Sequence, residues 1–209
     1  MFEKLLKEKK IKRFLISAVA GLVITSVVAD YSQRAMADIT GSVVRLHIMA
    51  NSDADADQGL KLKVRDDVSE FLAPLLEQSQ SVEETKSIIS QNIKNIEEEA
   101  QKSIKKHGYT YGATAVLDKF DFPQKSYEDV TFPAGNYDAL RIVIGEGKGH
   151  NWWCVLYPQL CFTVSENGEL PSQSQKKLKN VLTDDEYNLI TSKGNIRFKL
   201  KILELFSNQ

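Results

Sequence analysis

The chain has little of what an enzyme active site needs. Its three histidines, His47, His107 and His150, lack the spacing of metal ligands, and no H-E-x-x-H motif occurs. It contains no G-x-S-x-G, Asp-Thr-Gly or Asp-Ser-Gly, so neither a serine hydrolase nor an aspartic protease is indicated. We therefore expect no catalytic residue, no resident metal and no cofactor.

Cysteine is equally scarce, since Cys154 and Cys161 are the only two. In an exported protein such a pair predicts a disulfide, and the alternative is two buried thiols. A hydrolase using Cys154 is the rival interpretation. With His150 as its base the geometry is poor, because on a strand the two residues would stand about 13 Å apart. His47 or His107 could instead approach from elsewhere in the fold.

Basic charge is not in excess outside the first 29 residues. Residues 30–209 carry 21 basic and 26 acidic side chains, a net charge of −5. No basic surface is implied, so we expect no nucleic-acid partner.

What the chain does have is an N-terminal export pattern. Six basic residues lie within Met1–Arg13, and Phe14–Ala29 follows without a charge. Sixteen helical residues span about 24 Å, against about 30 Å of hydrocarbon, which is short for an anchor. Residues 1–37 are therefore predicted to be an export signal, cleaved after Ala29 or Ala37, or a retained membrane anchor whose apolar core is 14–29. In either case residues 38–209 form an extracytoplasmic domain.

The rest of the sequence predicts an α+β domain. Residues 43–49 indicate a strand, and apolar residues from Leu60 to Leu72 recur at helical spacing. Pro74 should kink or stop that helix. Ser81 is placed to cap a second amphipathic helix, which should run to about Lys106 and stop at Gly108.

Strand-like segments then dominate. They are residues 109–122, 137–144, 152–157 and 196–202. We expect the two amphipathic helices to pack on one face of a mainly antiparallel sheet, in a single domain after the N-terminal segment. Residues 166–190 should be mostly loop, with a short helix at Asp184–Ile190.

Two short motifs resemble ligand-binding loops and fail as such. Asp53, Asp55 and Asp57 have the spacing of a calcium loop, but its required Gly and Glu are missing. These acids instead favour the start of a helix. The glycines of 145–149 match neither a dinucleotide fingerprint nor a phosphate loop, and they predict a hairpin turn.

The two tryptophans are adjacent, at Trp152 and Trp153. On a strand they would face opposite sides, so one can enter the core while the other is exposed as an anchor for a partner. The alternative is that both belong to the core.

Several segments together resemble a known family. They are Arg45–Asp53, Leu60–Asp66, Phe132–Pro158 and, near the end, Ile196–Leu200. The chain resembles the stage II sporulation protein R family of endospore-forming bacteria, with a family-like core at 43–162.

The resemblance implies a signalling role rather than an enzyme. Family members are exported from the forespore into the intermembrane space, where they activate a membrane-embedded aspartic protease of the mother cell. That protease then processes pro-sigma-E. The resemblance supplies no catalytic residue, and a membrane surface is a further candidate partner.

Two loops are the candidate surface for such a partner, because binding residues tend to lie on loops of a rigid scaffold. The candidate partner-binding residues are Asn51, Ser52, Asp53, Lys148, His150, Asn151, Trp152 and Trp153.

Overall fold

The structure is a computed structural model that describes residues 2–127, 130–160 and 172–191 of the 209-residue chain. Its contacts divide the chain into two compact units, Met1–Asp38 and Ile39–Gln209. The division falls one residue from the point at which the sequence places the end of the N-terminal segment.

The first unit is helical. Helix α1 (Phe2–Gly41) contains a stretch, Lys10–Gly41, that is long and apolar enough to cross a membrane. Most large apolar side chains between residues 10 and 38 are exposed, among them Phe14 and Leu22. An apolar helix of this kind is stable against lipid rather than water, so it fits a signal segment or a membrane anchor.

Four strands of the second unit form one mixed sheet. The described strands are β1 (Val44–Met49), β2 (Ala113–Phe122), β3 (Lys125–Tyr127), β4 (Val130–Phe132), β5 (Gly135–Ile144) and β6 (Asn151–Tyr157). The sheet has the order β2-β5-β1-β6, and β3 and β4 form a separate ribbon. Strand β1 is parallel to β5, whereas β1–β6 and β2–β5 are antiparallel. The predicted mainly antiparallel sheet is confirmed.

Helices cover one face of this sheet. They are α2 (Asp55–Leu76), α3 (Val82–Gln91) and α4 (Ile93–Lys106). Their apolar faces share a core with alternate residues of the sheet, including Leu46, Ile48, Leu60, Val64, Val68, Leu72, Ile89, Ile96, Ile104, Leu140 and Ile142. Burying each of these side chains contributes about 1.5–3 kcal/mol, so this layer is a main source of stability. The predicted α+β class is confirmed.

The second predicted helix is two helices. Helix α3 ends at Gln91 and α4 begins at Ile93, with Asn92 between them at φ −107°. Both the backbone N–H and the side-chain amide of Asn92 donate to the carbonyl of Ile88, at 3.2 and 2.9 Å. The apolar spacing continues across Asn92, so periodicity does not reveal this junction.

Of the three residues that were predicted to mark helix ends, Ser81 and Gly108 do so and Pro74 does not. Ser81 accepts from the N–H of Glu84 at 3.1 Å, and Gly108 adopts a φ of +85° just after α4, as predicted. Pro74 does not stop α2, which continues to Leu76. Leu72 and Leu76 are buried on either side of the proline, and this packing outweighs the lost backbone hydrogen bond.

The predicted hairpin at 145–149 is wrong. Strands β5 and β6 are not neighbours, because β1 lies between them. The glycine-rich connection therefore passes over the end of β1 instead of joining two paired strands. Sequence order suggested the hairpin, but the parallel pairing of β1 with β5 overrides it.

The other face of the sheet has its own core. It is formed with β3, β4 and two further helices, α5 (Ser172–Val181) and α6 (Asp184–Thr191). Helix α6 matches the predicted short helix, whereas α5 was expected to be loop because its sequence is mostly polar. The predicted strand at 196–202 lies outside the described residues.

A buried arginine lies at the centre of this second core. Arg45 has no exposed surface, and its guanidinium lies 4.7–5.1 Å from the ring centres of Phe122, Phe132 and Tyr137. Its Nε donates to the carbonyl of Cys154 at 2.8 Å. Burial lowers the pKa of Arg45, and aromatic faces offset part of the cost of keeping it charged.

The hydroxyl of Tyr127 joins this cation to the sheet. It accepts from Arg45 Nη2 at 3.2 Å and donates to the carbonyl of Trp153 at 2.8 Å. Strand β3 is thereby fixed to β1 and β6 through one polar atom in an apolar core.

Replacing Tyr127 with Phe should therefore destabilise the protein by about 2 kcal/mol, because a buried donor and a buried acceptor both lose their partner. The matched control is Tyr109→Phe, whose hydroxyl makes an exposed 3.3 Å bond to the carbonyl of Ala56 and whose loss should cost under about 0.5 kcal/mol. Denaturant unfolding of the purified protein in mild detergent measures both. Equal losses for the two variants would contradict this account of the second core.

Candidate functional site

Two loops meet where β1 and β5 end. Because these strands are parallel and in register, with Met49 opposite Val143, their carboxyl ends lie side by side. Residues 50–54 follow β1, and residues 145–150 follow β5. We call these two segments together the two-loop site. The structure thus brings together the two separate segments that the sequence nominated as a partner surface.

Backbone hydrogen bonds join the two loops directly. The N–H of Lys148 donates to the carbonyl of Asn51 at 3.1 Å, and the N–H of Gly149 donates to that of Ala50 at 3.0 Å. The side-chain oxygen of Asn51 also accepts from the N–H of Glu146 at 3.0 Å. The loops therefore form one surface rather than two independent ones.

Glycine is required for this approach at two positions. A Cβ at Gly149 would collide with the backbone carbonyl of Ser52, which cannot move away without breaking the loop contact. Gly145 has a φ of +58°, and a side chain there would also meet the amide of Asn51. The glycines that first suggested a nucleotide or hairpin motif serve the close packing of two backbones.

His150 and Asp53 form an exposed pair at the rim. The carboxylate of Asp53 accepts from the backbone N–H of His150 at 2.6 Å and lies 2.5 Å from its ring Nδ1. Both side chains are largely open to solvent. Lys148 points outward as well and pairs with Glu146 at 2.7 Å. These four side chains lie at the surface of the two-loop site.

A buried carboxylate holds the first loop from beneath. Asp57 in the first turn of α2 accepts from the hydroxyl of Ser52 at 2.6 Å and from the side-chain amide of Asn51 at 2.8 Å. These two donors, the Ser52 hydroxyl first, lower the pKa of Asp57, so it stays ionised. The third acid of the calcium-like motif thus holds the loop, and no metal-binding cluster occurs among the described residues.

A buried lysine holds the second loop. Lys61, one turn further along α2, donates to the carbonyl of His150 at 2.9 Å and to the side chain of Gln58 at 2.6 Å. Burial lowers the pKa of Lys61. Helix α2 therefore supports both loops with charged groups of opposite sign, placed four residues apart.

The polar network continues into the sheet through His47. Arg141 Nε donates to His47 Nδ1 at 3.1 Å, so the ring proton lies on Nε2, which donates to the side-chain oxygen of Asn151 at 3.0 Å. Burial lowers the pKa of His47 to about 4, and the charge of Arg141 adds to this lowering. His47 is a neutral ring that orients Asn151 and Arg141.

The two tryptophans face opposite sides of β6, as adjacent strand residues must. Trp152 lies on the helical side, with the guanidinium of Arg65 4.4 Å above its ring centre. Trp153 lies on the other side, stacked on His47 at 3.8 Å and next to Phe122 at 4.5 Å. Both are half-buried, so each contributes to a core while keeping part of its ring at the surface.

Cys154 and His47 lie on opposite faces of the sheet. The side chain of Cys154 is buried in the core beneath the helices, whereas His47 is stacked on Trp153. This arrangement does not favour a cysteine nucleophile. Cys161 lies outside the described residues, so the disulfide stays a prediction.

Several residues of this network were not expected from the sequence. The helical spacing could have revealed Asp57 and Lys61. They recur with Val64 and Val68 at this spacing, and all four are buried on one face of α2. The sequence gives a weaker indication for His47 and Arg141, since each is only a polar residue within an apolar strand.

Comparison with known proteins identifies the family. The family model described as stage II sporulation protein R matches residues 40–167. Stage II sporulation protein R of Bacillus subtilis (strain 168) is 35% identical over 167 residues, which cover 79% of this chain and 75% of the relative. The chain belongs to the stage II sporulation protein R family. No solved structure matches it.

The matched region includes the whole four-stranded sheet, the helices α2–α4 and the two-loop site. The two-loop site and the charges that support it, Asp57 and Lys61, therefore lie within the region that matches the family model. Most of α1 and both α5 and α6 lie outside the matched residues.

The pKa of His47 predicts how stability depends on pH in this member of the family. In the unfolded chain His47 takes up a proton near its ordinary pKa of 6.5, whereas in the folded state it does so only near 4. Protonation thus favours unfolding between these values. As the pH falls from about 6.5 to about 4, on the order of 3 kcal/mol of stability should be lost.

The change should be measured as the free energy of unfolding at a series of pH values. His47→Gln keeps a side-chain amide in place of the ring and should remove most of the loss above pH 4. Protonation of Asp57 also lowers the free energy of unfolding, but only when the pH falls below the ordinary pKa of 3.8. The effects of His47 and Asp57 therefore fall in separate pH ranges. An unchanged pH profile in the His47 variant would contradict a neutral, buried His47.

Proposed function

We propose that the chain is an exported sporulation signalling protein that activates a membrane-embedded aspartic protease of the mother cell, which then processes pro-sigma-E. Its place of action would be the intermembrane space, after export from the forespore. Membership of the stage II sporulation protein R family is the observation that carries the proposal. The apolar helix α1 supports it, because a signal or anchor is needed for export.

The chain would act as a binding partner, not as an enzyme. In the proposed mechanism its extracytoplasmic domain has a higher affinity for the active arrangement of the protease than for the inactive one, so binding shifts the population. The two-loop site suits this role, since its backbone is fixed internally and few groups need to be ordered on binding.

The test is reconstitution in a host that does not sporulate. Co-expression of the chain, the protease and pro-sigma-E should give cleavage only when all three are present. A chain lacking residues 1–37 stays in the cytosol and should give none. Cleavage by the chain and substrate alone, or with a protease whose catalytic aspartates are replaced, would overturn the proposal.

The same host separates the activator from a Cys154 hydrolase. Replacing Cys154 and Cys161 together with Ser should leave activation intact at low temperature, because only a structural bridge would be lost. Loss of activity in a folded, exported double variant would favour the hydrolase.

A further inference from the structure

One half of the sheet's second face lacks the cover that protects the other half. Strands β3 and β4 and helices α5 and α6 pack over the half that contains Arg45 and Tyr137. Towards the two-loop site, most side chains of this face are partly or fully exposed among the described residues, although His47, between Arg141 and Trp153, is buried. We call this surface the open half-face, and it consists of Met49, Val116, Arg141, Val143, Asn151 and Trp153.

Val116, on the edge strand β2, is the most exposed large apolar residue of this surface. Its side chain is 48% exposed, and in the described part of the second unit only one other large apolar residue, Leu62 at 37%, is comparably open. Leu62 lies alone on the outer side of α2. Val116 instead lies directly opposite Arg141 in the β2–β5 register.

Arg141 has no anionic partner within the part of the chain that the structure describes. Its Nε donates to His47, and its guanidinium lies 3.4 Å from the ring centre of Phe120, but it pairs with no carboxylate among the described residues. The two terminal amino groups, which match a carboxylate in a forked pair, are left for another molecule. Burial lowers the pKa of Arg141, so part of the cost of desolvating it is already met within the fold.

The open half-face is also held rigid. Trp153 is stacked on His47, and Gly147 of the two-loop site packs close to Val143 and Met49. Tryptophan and arginine are enriched among the residues that dominate the binding energy of protein interfaces. Apolar side chains beside an arginine that has no carboxylate partner among the described residues fit a partner that is apolar and carries an acid.

We propose that the open half-face binds a segment of the activated protease in which a carboxylate, flanked by apolar side chains, pairs with Arg141. This inference rests on the proposed function and specifies the chemistry of the partner's contact. The apolar residues cover Val116 and Trp153, and the carboxylate supplies the anion that the described fold does not.

Variants with matched controls test this contact in the reconstituted host. Arg141→Gln removes the charge, and Val116→Asp places a carboxylate where the partner's own is expected. Each should reduce the rate of pro-sigma-E cleavage at least about tenfold. Arg141→Lys keeps the charge without the fork and should give an intermediate loss.

The controls make the same changes on the outer side of α2. Lys63→Gln removes an exposed charge, and Leu62→Asp adds a carboxylate at the other exposed apolar side chain. Both should stay within about twofold of the parent chain. The melting temperature and exported amount of every variant are measured, and Val116→Asp keeps the test valid if Arg141→Gln folds poorly.

A photo-crosslinking amino acid at position 116 then identifies the occupant. It should attach to the protease, in a segment that contains Asp or Glu, whereas the same probe at position 62 should not. Changing that acid to Arg should restore cleavage by Arg141→Glu.

Three outcomes would overturn the inference while leaving the proposed function intact. They are full activity of the folded variants, crosslinking only from position 62, and a crosslink from position 116 to a second copy or to residues 192–209 of the same chain. Absence of cleavage with the parent chain would instead overturn the proposed function, and this inference with it.

Discussion

The parallel pairing of β1 with β5 is the constraint on which the rest of the structure depends. Neighbouring strands that run in the same direction end at the same place, so the loops that follow them must meet. Because β6 pairs with the other side of β1, the chain leaving β5 has to cross over the end of β1. The crossing brings 145–150 onto 50–54 and requires a glycine at position 149.

Helix α2 converts this crossing into a fixed surface. It begins directly beneath the first loop, so its Asp57 reaches Asn51 and Ser52 while its Lys61 reaches the carbonyl of His150. These polar groups of the loops are thus paired within the chain, and Lys148 and His150 are exposed at the rim. An arrangement of this kind suits recognition, because little conformational freedom remains to be lost when a partner binds.

The sequence allowed the elements to be predicted better than their pairing. Alternating and helical spacing located the strands of the main sheet and most of the helical layer, and Ser81 and Gly108 marked two helix ends correctly. Pairing partners carry no comparable local signal, so β1 could not be placed between β5 and β6, and the glycine-rich connection was misassigned as a hairpin. The break between α3 and α4 at Asn92 was not predicted, because the apolar spacing continues across it.

The candidate site was predicted in part. Asn51–Asp53 and the candidates between Lys148 and Trp153 were expected to form one partner surface, and the parallel pairing of β1 with β5 explains why the two segments are neighbours. Their supports, Asp57 and Lys61, are polar residues on an apolar helical face, and only the loops above them reveal why they are buried. Arg141 and Val116 became notable only once the covering elements were known, since exposure on a sheet face depends on what the rest of the chain covers.

Hydrogen exchange of the free protein tests the central claim most directly. If the parallel crossing fixes the two loops in advance, the amides of Lys148 and Gly149, which donate to Asn51 and Ala50, should exchange far more slowly than in an unstructured peptide, without any partner present. Exchange of these two amides at the unprotected rate, with slowing only after the protease is added, would contradict a preformed surface.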